Sequence, residues 1–478
     1  MTWGFRWLGA FVLADLLSFL GHYEPAVRIT VFGIIIVCFF VVAIYWYRVA
    51  VLAVFAELFI GSHGYLFSLD IVGLSISLRI ALYIIIVSFS LPYLFKRWSN
   101  KADRGHDIRL YLPILCLGIV ALIAFGRGLL AGRNFDLVFF DANGYLYWGL
   151  LLPLIAIGRD ENFYRRLIQL LCLAAGYVAF KTLLLLYLFT HGSFQYFVVD
   201  LYLWLRDTRL GEFTPTTSDA YRIFMASQLF LLPAWWIGVL TPSREGKWRI
   251  ATLLYSCLLS AGLLVSFSRS FWLGWCLSII AALVWLSARQ QWRRLFNVMV
   301  AVGLSAVGGF ILVIIALRFP LPVPSDTARL AITERLELRG EAASSRWNLL
   351  QPLWTAVAEH IVIGSGFGRA VTYVSNDPRV RAMSASGLYT TTAFEWGYLD
   401  IWLKLGLLGL TIYGWIIVST LLVMYRFDDW LGNSLPYVLG LVAVLGVHLG
   451  SPYLNHPLGI GLMLILYIMC VQRLQTIH

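Results

Sequence analysis

What most constrains this chain is a succession of apolar runs, most of them long enough to cross a bilayer, separated by short charged stretches. A hydrocarbon core about 30 Å thick is spanned by roughly 20 helical residues. Inside it every backbone N–H and C=O needs a partner within the protein, which admits only helices and closed barrels. The runs are continuous rather than alternating, so they read as helices. Fourteen candidate spans follow, with twelve as the lower count: 8–20, 29–45, 51–60, 80–95, 111–130, 139–157, 167–189, 223–240, 250–267, 271–287, 298–317, 398–424, 435–449 and 458–470. The first and third are short. With 60% hydrophobic and 13% charged residues and a mean hydropathy of +0.80, the expected fold class is an all-α, polytopic integral membrane protein. Arg6 precedes an apolar run that is interrupted by Asp15 and lacks a small-residue cleavage site, so the first span is expected to remain as its own anchor.

Lys and Arg in short loops stay on the cytoplasmic side. Lys96, Arg97, Lys101, Arg104 and Arg109 share one loop, and Arg159, Arg165 and Arg166 the next but one. Arg244, Lys247, Arg249, Arg289, Arg293, Arg294, Arg426 and Arg473 fall on the same side if the spans alternate. Both termini are therefore predicted cytoplasmic. The same alternation sends two longer segments to the opposite face. The chain then divides into N-terminal spans (1–190), a first external loop (191–222), central spans (223–318), a large external loop with short amphipathic helices (319–395) and C-terminal spans (396–478). The net charge of +11 is accounted for by cytoplasmic loops facing anionic lipid, so membrane lipids are expected partners and nucleic acid is not.

The external segments carry arginine without lysine: Arg206, Arg209 and Arg222 in the first, Arg329, Arg335, Arg339, Arg346, Arg369, Arg379 and Arg381 in the second. Arginine presents a planar fork that fits phosphate oxygens, whereas lysine is a point charge. Codon bias toward arginine, balanced by Asp326, Glu334, Glu337, Glu341 and Asp377, is the other reading. The six cysteines all lie within spans and support no disulfide. The eight histidines, among them His106 and His478, show no ligand spacing, so no metal or other cofactor is expected.

Three constellations carry chemistry. Ser266-Phe267-Ser268-Arg269-Ser270 plants a guanidinium between two spans, where a charge costs roughly 2.5–3.5 kcal/mol and suggests an anion to hold. Trp347, Leu350, Trp354, Val357 and Ile361 recur at helical spacing, which predicts an amphipathic helix on the membrane surface, opened by Arg346 and ended by Gly364-Ser365-Gly366-Phe367-Gly368. There the helix dipole would add to the pull of Arg346 on an anion; an interfacial helix that merely seals the protein is the alternative. Glu395 stands at the mouth of a span, followed inside it by Asp400 and Lys404 at i,i+4, where they neutralise each other. Glu395 suits a general base, or else a helix-start acid facing the dipole. Trp347, Trp354, Tyr373, Tyr389 and Trp396 could stack on sugars, though Trp and Tyr also gather at every membrane interface.

The order of these pieces, with Arg222 ahead of a span, the Ser-Arg turn, the long loop with Arg346 and Ile363-Gly364-Ser365-Gly366, and Tyr398-Leu399 leading to Lys404-Leu405-Gly406-Leu407-Leu408-Gly409, resembles the O-antigen ligase and O-antigen polymerase superfamily. Asp141-Ala142-Asn143-Gly144-Tyr145-Leu146 and Asn455-His456-Pro457-Leu458-Gly459 add weaker support. The resemblance implies a GT-C-like membrane glycosyltransferase in the bacterial inner membrane with its site on the periplasmic face. Its donor would be a polyprenyl diphosphate-linked oligosaccharide and its acceptor a glycan or lipid-linked glycan. A partner controlling chain length would be compatible with this reading. Arg222, Arg269 and Arg346 would bind the diphosphate, Arg269 also acting catalytically. Glu395 would be the base of an inverting, metal-independent transfer, and Trp347, Tyr389 and Trp396 would touch glycan. Ligases acting on lipid A core have His-Asn where this chain has Glu395-Trp396, which favours a polymerase over a ligase. A transporter of a lipid or anionic solute, or a scaffold of an envelope-assembly complex, are the rival classes; no internal repeat of the transporter kind is visible.

Overall fold

A computed structural model describes residues 2–71, 74–99, 108–191, 195–215, 220–241, 247–320, 341–376, 380–381, 384, 386–426 and 434–475. Lys101, Arg104, His106, Arg244, Asp326, Arg329, Glu334, Arg335, Glu337, Arg339, Asp377, Arg379 and His478 lie outside them. In chain order the elements are α1 (Thr2–Tyr23), α2 (Pro25–Tyr45), α3 (Tyr47–Ile60), β1 (Ser68–Ile71), β2 (Leu74–Ser77), α4 (Leu78–Ser99), α5 (Leu112–Leu130), α6 (Phe135–Leu146), α7 (Leu151–Ile157) and α8 (Glu161–Thr190). There follow α9 (Gln195–Asp207), β3 (Glu212–Pro215), β4 (Tyr221–Phe224), α10 (Leu231–Leu240), α11 (Lys247–Val265), α12 (Arg269–Ala288) and α13 (Trp292–Arg318). The last are α14 (Glu341–Ala358), β5 (Val371–Val374), β6 (Leu388–Thr391), α15 (Gly397–Arg426), α16 (Leu435–His448) and α17 (Pro457–Leu474). The strands form three antiparallel hairpins, β1–β2, β3–β4 and β5–β6.

Among the described residues ten helical segments are long and apolar enough to cross a membrane, and three more, Ala226–Leu240, Arg249–Val265 and Leu435–His448, are apolar but shorter. The protein is thus an all-α multi-pass membrane protein. The expected span 51–60 is α3, whose 14 residues reach only about 21 Å and are mostly buried. Two compact units are present: Met1–Ser99, Leu150–Ile332 and Leu435–Ala443 form the first, and Asn100–Gly149, Thr333–Ser434 and Val444–His478 the second.

In the first unit α11 and α13 approach closely because Gly308 and Gly309 leave no side chain between them; a Cβ on Gly309 would fall 2.6 Å from that of Ser260. Small residues serve this purpose where lipid offers no hydrophobic drive to helix association. Trp235 and Trp236 are fully buried, and each indole N–H has a hydroxyl partner, Ser260 at 2.9 Å and Ser278 at 2.8 Å. An unpaired buried donor would cost about 1–3 kcal/mol. Buried charges are paired too: Lys181 with Asp15 at 2.6 Å, and Arg79 with Glu57 at 2.8 Å.

The second unit gathers α14, β5 and the start of α15 around a core of Leu349, Leu353, Ala356, Val357, Val371, Phe394 and Leu403. α15 breaks at Gly406 (φ 74°, ψ −177°), which frees backbone groups on both sides of the break. The segment after α14 takes them up. Ser365 N–H donates to Leu403 C=O at 2.7 Å and Gly366 N–H to Lys404 C=O at 3.1 Å, while Leu407 and Leu408 N–H donate to the carbonyls of Ile361 and Val362 at 2.8 and 3.1 Å. Gly364 and Gly366 have φ of +73° and +83°, and a Cβ on Gly366 would lie 2.7 Å from the carbonyl of Ala124. Only glycine fits such a close backbone approach in that conformation.

Candidate functional site

In the first unit α11 ends at Val265 and α12 starts at Arg269, so three residues must reverse the chain. Ser266 shapes the turn: its hydroxyl donates to Leu263 C=O at 2.6 Å and accepts from Ser268 N–H at 3.2 Å, and Phe267 adopts φ +44°. Ser268, extended at φ −90°, ψ 111°, is the N-cap of α12. Arg269 is therefore the first residue of a helix, half-buried, beside N–H groups that themselves favour an anion. Arg222, placed in β4 opposite Thr214 of β3, reaches this turn and donates from Nε to the carbonyl of Ser266 at 3.2 Å. Glu212 lies 3.5 Å from its Nη1, and the guanidinium stands 5.0 Å from the Phe224 ring. Tyr221, next to Arg222, and Phe267, two residues before Arg269, line an apolar cleft with Leu186, Val265, Trp272, Phe310 and Val313. Arginines close in sequence to residues that line an apolar cleft suit an amphiphilic anion.

In the second unit Arg346 pairs with Glu395, both partly exposed to solvent. Trp396 Nε1–H donates to the Arg346 carbonyl at 3.0 Å, and the rings of Trp347 and Trp396 meet edge to face at 5.4 Å. Four of the residues singled out in the sequence thus form one group. Tyr389 sits on the adjacent hairpin, opposite Tyr373 at 6.0 Å. Trp347 and Tyr389 are 57% and 40% exposed, so both rings are open to a ligand.

Two expectations are corrected. Arg346 does not open its helix: α14 begins at Glu341, so Arg346 lies in the second turn, beyond the reach of the N-terminal dipole. Nor does the apolar periodicity mark a single face. Leu349, Leu353, Ala356 and Val357 pack inward, whereas Trp347, Trp354 and Ile361 form a separate stripe at 57%, 51% and 47% exposure. That helix runs beside α15 in the same direction, Trp347 against Trp396 and Trp354 against Trp402 at 5.5 Å.

Asp400 and Lys404 do pair, at 2.7 Å, and helical spacing foretold it. The sequence reading did not foresee that Asp141 joins them at 2.9 Å from Lys404 Nζ, that Asn455 binds Asp400, or that Asp141 also accepts from Gly368 N–H at 2.7 Å. Lys404 Nζ stands 5.5 Å from the buried ring of Phe394, the residue before Glu395, so this charged cluster supports the chain that presents the carboxylate. Arg133, in the α5–α6 loop, donates to the carbonyls of Gly366 and Phe367 at 2.9 and 2.7 Å. Burial, and after it the nearby Arg369, pulls the guanidinium of Arg133 below its ordinary pKa. Among the described residues no three of His, Cys, Asp and Glu are grouped to hold a metal ion.

No curated protein matches the chain significantly. Residues 254–414 match the family described as O-antigen ligase. The matched stretch runs from within α11 through the Ser-Arg turn, α14 and Glu395 to beyond the break in α15. The match supports a function of the O-antigen ligase or polymerase type, in glycan biosynthesis. Through these residues the chain is similar to the O-antigen ligase family, in line with the resemblance seen in its sequence.

Proposed function

We propose that the chain is a glycosyltransferase of the bacterial inner membrane that polymerises or transfers glycan from a polyprenyl diphosphate-linked donor to a sugar hydroxyl on the periplasmic face. The observation that carries this reading is the tie of Arg222 to the Ser266 carbonyl, in the turn that presents Arg269, beside an apolar cleft. A polyprenyl diphosphate has the same two parts, a dianionic head and a long apolar tail. In the proposed reaction Arg222 and Arg269 stabilise the charge that develops on the departing diphosphate, an electrostatic role that fixed guanidinium groups can fill without a metal. Glu395 takes the proton of the acceptor hydroxyl as that oxygen attacks the anomeric carbon, with inversion as the result of a single displacement. Arg346, its ion-pair partner, orients the carboxylate and is a further phosphate ligand in this reading. Trp347, Trp396 and Tyr389 offer ring faces to the acceptor glycan.

Glu395-Trp396, standing where lipid A ligases have His-Asn, supports a polymerase acting on a second lipid-linked glycan; transfer to lipid A core is the second reading. The test is turnover by purified chain in nanodiscs supplied with a polyprenyl diphosphate oligosaccharide. A ladder of products supports polymerisation, and a single product formed only with lipid A core supports the ligase. Glu395→Gln should abolish either one without changing the melting temperature.

A further inference from the structure

The large segment before α15 is expected from sequence to stay outside the membrane. Its contacts reach well below the ends of the helices beside it. The candidate spans Leu112–Leu130, Phe135–Ile157 and Gly397–Arg426 are met by this segment well inside their ends. Phe367 N–H donates to Ala124 C=O at 3.1 Å, six residues in from Leu130. Gly368 N–H donates to Asp141 at 2.7 Å, six residues in from Phe135. Ser365 N–H donates to Leu403 C=O at 2.7 Å, six residues in from Gly397. Three independent helices therefore put residues 365–368 at one depth, about 9 Å below their ends at 1.5 Å per residue. Ile361 and Val362, which accept from Leu407 and Leu408, lie deeper still, about 16 Å along α15 from Gly397.

The chain also returns the way it came. α14 descends beside α15, and β5 climbs back along α14, with Asn348 Nδ2 donating to the carbonyl of Val374 at 3.0 Å. We propose that residues 359–370 form a re-entrant segment that enters the bilayer and leaves by the same face, with Ile361, Val362 and Ile363 against phospholipid acyl chains. These three are 47%, 64% and 44% exposed, and they continue an exposed surface formed by Leu407 and Leu408, at 40% and 44%, on the spanning helix itself. Non-helical backbone at such depth requires that its polar groups be satisfied by protein. The break at Gly406 supplies those partners. Two of the guanidinium groups here have partners: Arg369 pairs through Nη2 with Glu359 at 2.7 Å, and Arg133 donates to carbonyls. Trp402 Nε1–H donates to the Ile361 carbonyl at 3.0 Å, a side-chain partner for the segment's backbone.

The test is collision accessibility of a nitroxide in liposomes. Val362→Cys and, as the water-exposed control, Thr390→Cys are labelled in a chain whose six native cysteines are replaced and whose melting temperature is retained. A label at 362 relaxed several-fold more by oxygen than by a water-soluble nickel chelate, with the reverse order at 390, is the expected result. Preference for the nickel chelate at 362 overturns the proposal, and so does shielding from both reagents, which would mean a second copy of the chain covers this face. The unmodified chain gives a second measurement. A phospholipid with an acyl-chain diazirine should label the tryptic peptide 347–369, and labelling of the spans without that peptide would also overturn the proposal.

Discussion

Lys404 is held between Asp400 and Asp141, all three side chains at most 5% exposed. Removing the cation leaves two carboxylates buried without it, and breaking a buried ionic set by deleting one partner costs about 3–5 kcal/mol. Lys404→Met should therefore lower the melting temperature sharply, and adding Asp400→Asn and Asp141→Asn should recover most of the loss. A triple variant as unstable as the single would show that charge is not what the cluster balances. Only part of this cluster is legible in the sequence. Asp400 and Lys404 announce themselves by i,i+4 spacing, whereas Asp141 is 263 residues from Lys404 and no local rule connects them. Arg269 is the opposite case: a lone guanidinium between two spans is conspicuous in the sequence alone. Arg269→Ala should keep the melting temperature and lose on the order of 10²–10³ in turnover, the usual consequence of deleting one transition-state donor. Arg269→Lys should recover little of it, because an ammonium cannot reproduce the planar fork.

At the scale of elements, the break in α15 and the glycine segment that fills it are a single device. A Cβ on Gly406 would fall against the carbonyl of Val362 and the amide of Gly364, backbone atoms that cannot yield, and its φ of +74° is itself unfavourable for any other residue. Gly406→Ala should cut the folded yield or the melting temperature strongly. Gly414→Ala, in the same helix with open space at the Cβ position, should be neutral or slightly stabilising. Equal behaviour of the two would count against the backbone exchange described above. Hydropathy reads 398–424 as one uninterrupted span, because a glycine among leucines gives no sign of which glycine is bent. The helical periodicity of α14 was legible, but not its two faces. In water an apolar stripe has one destination; in a membrane protein it has two, and Leu353 goes to the core while Trp354 stays exposed.

For the molecule as a whole, composition and run length suffice to establish a multi-pass helical protein, because the bilayer leaves so few alternatives. They do not give the number of full spans: α3 and the helices at Ala226–Leu240, Arg249–Val265 and Leu435–His448 are apolar runs shorter than a span. Nor do they give the two compact units, each assembled from three separated stretches of chain. Arg269 and Glu395 belong to different units, yet the proposed mechanism has them act in one step. Residues that act as a unit are strongly non-additive. The double variant Arg269→Ala with Glu395→Gln should thus turn over no more slowly than the slower single variant, and multiplied losses would separate their roles. The most direct measurement is turnover by the folded wild-type chain in nanodiscs, following a polyprenyl diphosphate oligosaccharide by mass spectrometry. The account predicts lengthened or transferred glycan together with an equal amount of free polyprenyl diphosphate, both lost in Arg269→Ala. An unchanged donor, with folded protein and a suitable acceptor present, would contradict it.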